Sequence, residues 1–159
     1  MKLGIFLPSL GYNQNAIQAI SSVNTLIGID NTIYPTLFYK RIDAFRLRPK
    51  TIATTFDKIY QYDGHLITTN LDTTYIALQC NRLKSINFYV SELEWTRRIG
   101  NYLSNSSIYR NKNVNLICPS AEYAVALDNY CGVKVQDIIT GFNIYEIVTR
   151  IRARNTQNV

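Results

Sequence analysis

Short apolar runs of strand length alternate along this chain with segments whose apolar residues recur every three to four positions. That is the pattern of a parallel sheet joined by crossover helices. The first run, Leu3 to Leu7, predicts a buried strand. After a polar loop, Ala16, Ile17, Ala19, Ile20, Val23, Leu26 and Ile27 mark one face of an amphipathic helix. Ile33 to Tyr39 predicts a second strand, with Pro35 placing its start at an irregular or exposed backbone position. Asp43 to Leu47 reads as a short third strand near a sheet edge. Thr51 to Tyr60 is ambiguous, with a short helix as one reading.

Tyr62-Asp63-Gly64 is a turn that feeds a buried strand from His65 to Thr68. Thr69-Asn70 can cap a helix running from Leu71 to near Asn81, with Asp72 in its first turn. Ile86 to Val90 predicts another strand. It leads into Ser91-Glu92-Leu93-Glu94, where Ser91 and Glu94 have the spacing of a capping box and predict a helix start. Val114 to Cys118 predicts a strand stopped by Pro119. Ser120 is placed to cap a helix ending near Cys131, with Gly132 just beyond it. Val133 to Ile139 supplies the last strand. Asn143 and Glu146 have capping spacing, and Ile144, Ile147, Val148 and Ile151 form one apolar stripe on a final helix that packs on the body. The expected fold is α/β: one doubly wound, mostly parallel, Rossmann-like sheet of about six or seven strands with helices on both faces.

A chain of 159 residues is long enough for one core that buries roughly 70% of the surface the unfolded chain exposes. Cys80, Cys118 and Cys131 are odd in number and form no CxxC pair, so buried reduced thiols in a cytoplasmic protein are expected. The run Leu3 to Leu7 is too short for a signal peptide, is broken by Pro8 and is followed by no small-residue cleavage site. No stretch approaches the ~20 apolar residues that span a bilayer. The formal charge of +6 is uneven. Arg97, Arg98, Arg110 and Lys112 lie in a stretch without acids, and Arg150, Arg152 and Arg154 crowd the C-terminal region. These patches can neutralise phosphates, or they can be a solvated helix face with cations at a helix C-terminus.

In a doubly wound sheet, ligands bind beyond the carboxyl ends of the strands. That rule gathers four loops: Ser9 to Asn15, Thr68 to Asp72, Ser91 to Trp95, and Pro119 to Glu122. In the first, Ser9, Gly11, Tyr12 and Asn13 end a strand and open a helix, so backbone N–H groups there can receive a phosphate or carboxylate. With one glycine the loop is neither GxGxxG nor a Walker loop, and an Asn-capped connection is the alternative. Asn70, Ser91, Ser120 and Glu122 complete the polar candidates. The capping box accounts for Glu94, which leaves Glu92 as the general-base candidate. Trp95 can stack on a sugar or base, or pack in the core. His65, the single histidine, falls at the opposite edge of the sheet and has a structural reading, which disfavours a Ser-His-Asp set. No metal-ligand spacing is present, although Asp and Glu can bind a divalent ion carried by a diphosphate ligand.

Five segments in order carry a resemblance: Lys2-Leu3-Gly4-Ile5-Phe6, Tyr62-Asp63-Gly64-His65-Leu66-Ile67, Ile86-Asn87-Phe88-Tyr89-Val90-Ser91-Glu92, Leu116-Ile117-Cys118-Pro119-Ser120 and Ile138-Ile139-Thr140-Gly141-Phe142-Asn143. Together they resemble the N-terminal domain of GT-B-type glycosyltransferases, including those of bacteriophages. The last segment is similar to the family's Gly-x-Asp element, with Asn143 in place of the acid. The resemblance implies that Glu92 stands where inverting members place an acidic base. It also implies that residues 1–159 form one such domain without the donor-binding second domain, so that a partner chain or a homodimer completes the cleft.

The leading expectation is therefore a glycosyltransferase-like protein or subunit that handles a nucleotide sugar as ligand, needs no resident cofactor, and works in the cytoplasm, the host's if phage-encoded. A non-catalytic nucleotide or sugar binding module is the first alternative. A basic module that binds nucleic acid or protein is the second and less favoured.

Overall fold

A computed structural model describes residues 1–11, 13–43, 47–96 and 99–157 of the chain. Strand β1 (Lys2–Leu10) is buried on both faces: Leu3, Ile5 and Leu7 join one apolar layer and Phe6 joins the other. Gly4 faces the second layer with no room for a side chain, since an added Cβ would lie 2.7 Å from Leu66 Cδ1 and 3.0 Å from Phe38 Cε2. The strand that predicts as the most apolar thus becomes the centre of the sheet.

Helix α1 (Gln14–Ile29) follows, capped by Asn13, whose Oδ1 accepts from the Ala16 N–H at 2.7 Å. Its buried face, Ala16, Ala19, Ile20, Val23 and Leu26, follows the predicted stripe, whereas Ile17 and Ile27 remain partly exposed. Strands β2 (Tyr34–Ile42), β3 (Ile52–Thr55), β4 (His65–Thr68), β5 (Ser85–Tyr89), β6 (Val114–Cys118) and β7 (Asp137–Ile138) complete one sheet of seven strands in the order β3-β2-β1-β4-β5-β6-β7. Every pairing is parallel. Helices α1 and α5 (Ile144–Gln157) cover one face; α2 (Leu71–Leu78), α3 (Tyr102–Tyr109) and α4 (Ala121–Cys131) cover the other. This is the doubly wound, Rossmann-like arrangement. Among the described residues, no helix is long and apolar enough to cross a membrane.

Three expectations change at the periphery. The third strand is Ile52–Thr55, followed by a 3-10 turn over Phe56–Gln61. Of the segment Asp43 to Leu47, residues 44–46 lie outside the described residues, and Asp43 and Leu47 are not in a strand. β3 lies at the sheet's edge and is largely exposed, so it lacks the apolar signature that marks a central strand. The last strand pairs only over Asp137–Ile138, not from Val133. The Val133 N–H is taken by the Leu127 carbonyl at 3.3 Å and the Gly132 N–H by Asp128 at 2.9 Å. Gly132, at φ 66°, thus closes α4 in a Schellman-type cap that uses the donor a longer strand would need.

The third change follows β5. Instead of an α-helix from Ser91, there is a 3-10 turn over Glu94–Thr96, and α3 begins only at Tyr102. The capping-box pair is diverted: Ser91 and Glu94 bond to other loops. The final helix α5 forms as predicted. Ile144, Ile147, Val148 and Ile151 are all buried, and Asn143 Oδ1 accepts from the Glu146 N–H at 3.3 Å.

Cys80, Cys118 and Cys131 are buried and unbridged. Burial pushes the Cys118 thiol up to about 12. Such thiols are poor nucleophiles near neutral pH.

Candidate functional site

The order of the strands reverses between the parallel neighbours β1 and β4: the chain steps from β1 outward to β2 and β3, and from β4 the other way to β5. Loops leaving the two strands therefore diverge and open a crevice at their carboxyl ends. Its volume is about 440 Å³. Pro8, Ser9, Asn13, Gln14 and Asn15 line it from the β1–α1 connection, Thr69 and Asn70 from β4–α2, Ser91, Glu92 and Glu94 from the segment after β5, and Arg41 from the end of β2.

The walls are tied to one another by side chains. Asn13 Nδ2 donates to Ser9 Oγ at 2.9 Å. Asn15 Nδ2 donates to Ser91 Oγ at 2.9 Å, and Ser91 Oγ in turn donates to the Thr69 carbonyl at 3.0 Å. One relay therefore joins all three loops. Asn70 caps α2 by accepting from the Thr73 N–H at 2.9 Å. Glu94 Oε1 accepts from the Leu71 N–H at 2.7 Å, placing a carboxylate on the positive end of α2. Charge-assisted bonds of this kind hold geometry well.

Of the sequence-based site residues, Ser9, Asn13, Asn70, Ser91 and Glu92 meet in this crevice. Glu92 is half-buried in its wall. Gly11 is buried beneath the rim, where an added Cβ would come within 2.6 Å of Asp43 Cβ, so it serves close packing. Tyr12 lies outside the described residues, as do Arg97 and Arg98. Trp95 lies in the apolar layer instead, 8% exposed and edge-on to Tyr109 with ring centroids 5.2 Å apart. Ser120 and Glu122 do not line the crevice. Ser120 holds the N-cap position of α4 without accepting a capping hydrogen bond from the helix backbone. A hydrogen bond from Ser120 instead holds the exposed Glu122 carboxyl below its ordinary range.

Arg41 is the residue that sequence reasoning missed. The second strand reads as ending at Tyr39, but the β1–β2 register continues to Leu10↔Ile42 and sets Arg41 beside Ser9. Arg41 Nε lies 3.4 Å from Asp43 Oδ2, and both side chains are well exposed. Such a pair contributes little to stability and can be redirected to a ligand anion.

His65 has the structural place expected of it. Nδ1 lies 2.9 Å from Ser85 Oγ and Nε2 lies 3.3 Å from Asn155 Nδ2, at the edge of the sheet opposite the crevice. Among the described residues, no three His, Cys, Asp or Glu side chains cluster to hold a metal ion.

The fold and crevice define a Rossmann-like domain with a polar site at its switch point. Comparison with protein-family models, curated proteins and solved structures finds no match to this chain.

Proposed function

We propose that this domain acts in glycosyl transfer as a GT-B-like first domain, holding a hydroxyl-bearing acceptor in the switch-point crevice. The observation that carries the reading is the position of Glu92 in a wall otherwise made largely of hydroxyl and amide groups. Hydroxyls and amides suit a polyhydroxyl ligand because each can donate and accept. Glu92 would take the proton of the acceptor hydroxyl as its oxygen bonds to the anomeric carbon. The sugar–phosphate bond breaks at the same centre, and the nucleoside diphosphate leaves with the electron pair. Arg41 supplies positive charge at the rim. The donor approaches from the open side, held by another domain or chain.

The test is incubation with a panel of nucleotide sugars and acceptors, alone and with co-purifying proteins, reading nucleoside diphosphate release. Turnover should fall by roughly 10²–10⁴-fold in Glu92→Gln. Absence of transfer in every pairing would overturn the reading.

Binding without turnover is the second reading, favoured by the relay Asn15–Ser91–Thr69, which fixes the crevice whether or not chemistry follows. A nucleotide sugar at a hundred times its Kd would then stabilise the fold by about 2.7 kcal/mol without being consumed. A melting temperature unmoved by every nucleotide and sugar tried would remove it.

A further inference from the structure

We infer that the amino-terminal edge of the sheet carries a second and separate site, a groove that takes the phosphate backbone of a nucleic acid. Two cavities open there, of about 670 Å³ and about 430 Å³. They share Lys112, Asn115 and Arg154 as common walls, so they adjoin one another under the starts of β5, β6 and β7.

Among the described residues, six cationic side chains line them, Lys84, Arg110, Lys112, Lys134, Arg150 and Arg154, and the one acidic lining residue is Asp137. Asp137 is largely buried and acts as an anchor rather than a neutraliser of the whole set. It pairs with Arg154 and lies 3.6 Å from Arg150 Nε. Arg154 also donates to Asn87 Oδ1 at 3.2 Å, and Arg110 Nε donates to the Cys131 carbonyl at 2.7 Å. The Arg154 and Arg110 guanidinium groups are thus held in place before any ligand arrives, which lowers the ordering cost of binding. Lys84, Lys112 and Lys134 have no carboxylate within ion-pair distance among the described residues.

The shape selects among anions. A single phosphate engages two or three cations, whereas here six are distributed along two adjoining cavities, which suits a ligand with repeated charges. The cations line concave walls, which a chain can enter and a bilayer surface cannot. Asn111, Asn113, Asn115 and Gln136 interleave with them and can donate to phosphate and sugar oxygens. The aromatic ring among the lining residues, Tyr109, is 1% exposed and offers no stacking face. Recognition is therefore of the backbone rather than of base sequence.

The experiment is fluorescence anisotropy of the full chain with labelled single-stranded and duplex oligonucleotides across a salt series. Occupation by four to six phosphates of a single strand predicts a slope of log affinity on log salt of roughly −3 to −4. That is about a hundredfold loss between 50 and 200 mM salt. The double variant Lys112→Glu/Lys134→Glu should weaken binding by roughly tenfold or more and make the slope shallower by about 1 to 2. Lys40→Glu/Lys58→Glu carries the same change in net charge away from the groove and should retain most of the affinity; thermal melts check that both variants fold. No binding to either oligonucleotide at 50 mM salt overturns the proposal. So does an equal loss in the two double variants. Binding to phosphatidylserine vesicles or to inorganic tripolyphosphate, with none to oligonucleotide, overturns it as well.

Discussion

The Tyr89 hydroxyl accepts from the backbone N–H of Phe142 at 3.1 Å while the two rings meet edge to face at 4.9 Å. The same hydroxyl donates to the Ile139 carbonyl at 3.2 Å. Gly141 and Phe142 both have positive φ, 66° and 52°, which is costly for a phenylalanine. Tyr89, the last residue of β5, thereby fixes the turn that aims α5 back across the sheet. Removing that hydroxyl leaves a buried donor and a buried acceptor unpaired. Tyr89→Phe should lower unfolding free energy by about 1–3 kcal/mol, read as a drop in the urea midpoint at unchanged slope.

Glu94 links the segment after β5 to the start of α2 through the Leu71 N–H. Glu94→Ala should cost about 0.5–2 kcal/mol, the range for loss of a helix cap. It should also raise the Kd of any crevice ligand, because Ser91 and Glu92 lie on the same segment. Isothermal titration together with urea unfolding separates the two effects.

Burial, the nearby Lys84 charge and the N-terminal amino group all hold the His65 imidazole below its ordinary pKa. As pH falls through about 6.5, the unfolded chain takes up a proton that the folded chain resists. Stability is therefore full above that pH and declines below it, down to the depressed native value. Urea unfolding at pH 7.5 and 5.5 should show the decline, and His65→Gln should flatten it.

Gly4 faces Leu66, Phe38 and Tyr62 at distances that leave no room for a methyl group. Gly4→Ala should destabilise by about 1–3 kcal/mol through overpacking. A calorimetric melt should show a lower Tm with the sheet signature of the circular dichroism spectrum retained.

Arg41 lies on the crevice rim in an exposed pair with Asp43. Arg41→Ala should leave the melting temperature of the free protein within about 1 °C, since surface pairs contribute little. It should weaken a phosphorylated crevice ligand, such as a nucleotide sugar, by roughly tenfold relative to the matching unphosphorylated sugar. Equal losses for both ligands would count against a role in reading phosphate.

The central strands and their caps were legible in the sequence because the signals are local. Val114 to Cys118 reads as a strand from its own residues, and Asn70, Gly132 and Asn143 mark helix ends through groups one to four positions away. The edge was less legible. Ile52 to Thr55 is too exposed to carry a pattern, and the donor of Val133 is claimed by a helix cap. At the crevice, Ser91 and Glu94 have the spacing of a capping box in sequence, yet their partners are Thr69, Asn15 and Leu71.

By itself, the sequence determined the alternation of strands and helices, the stripe on α5 and three of the four loops it assigned to the crevice, Pro119 to Glu122 being the exception. These follow from apolar periodicity and backbone donor satisfaction, which act over a few residues. Tertiary structure alone decided the sheet order, the placing of Arg41 beside Ser9, the burial of Trp95 against Tyr109 and the gathering of Lys84, Lys112 and Arg154 at the opposite edge. Those relationships depend on strand register and on which face each helix covers, and both are set by packing between residues far apart in the chain.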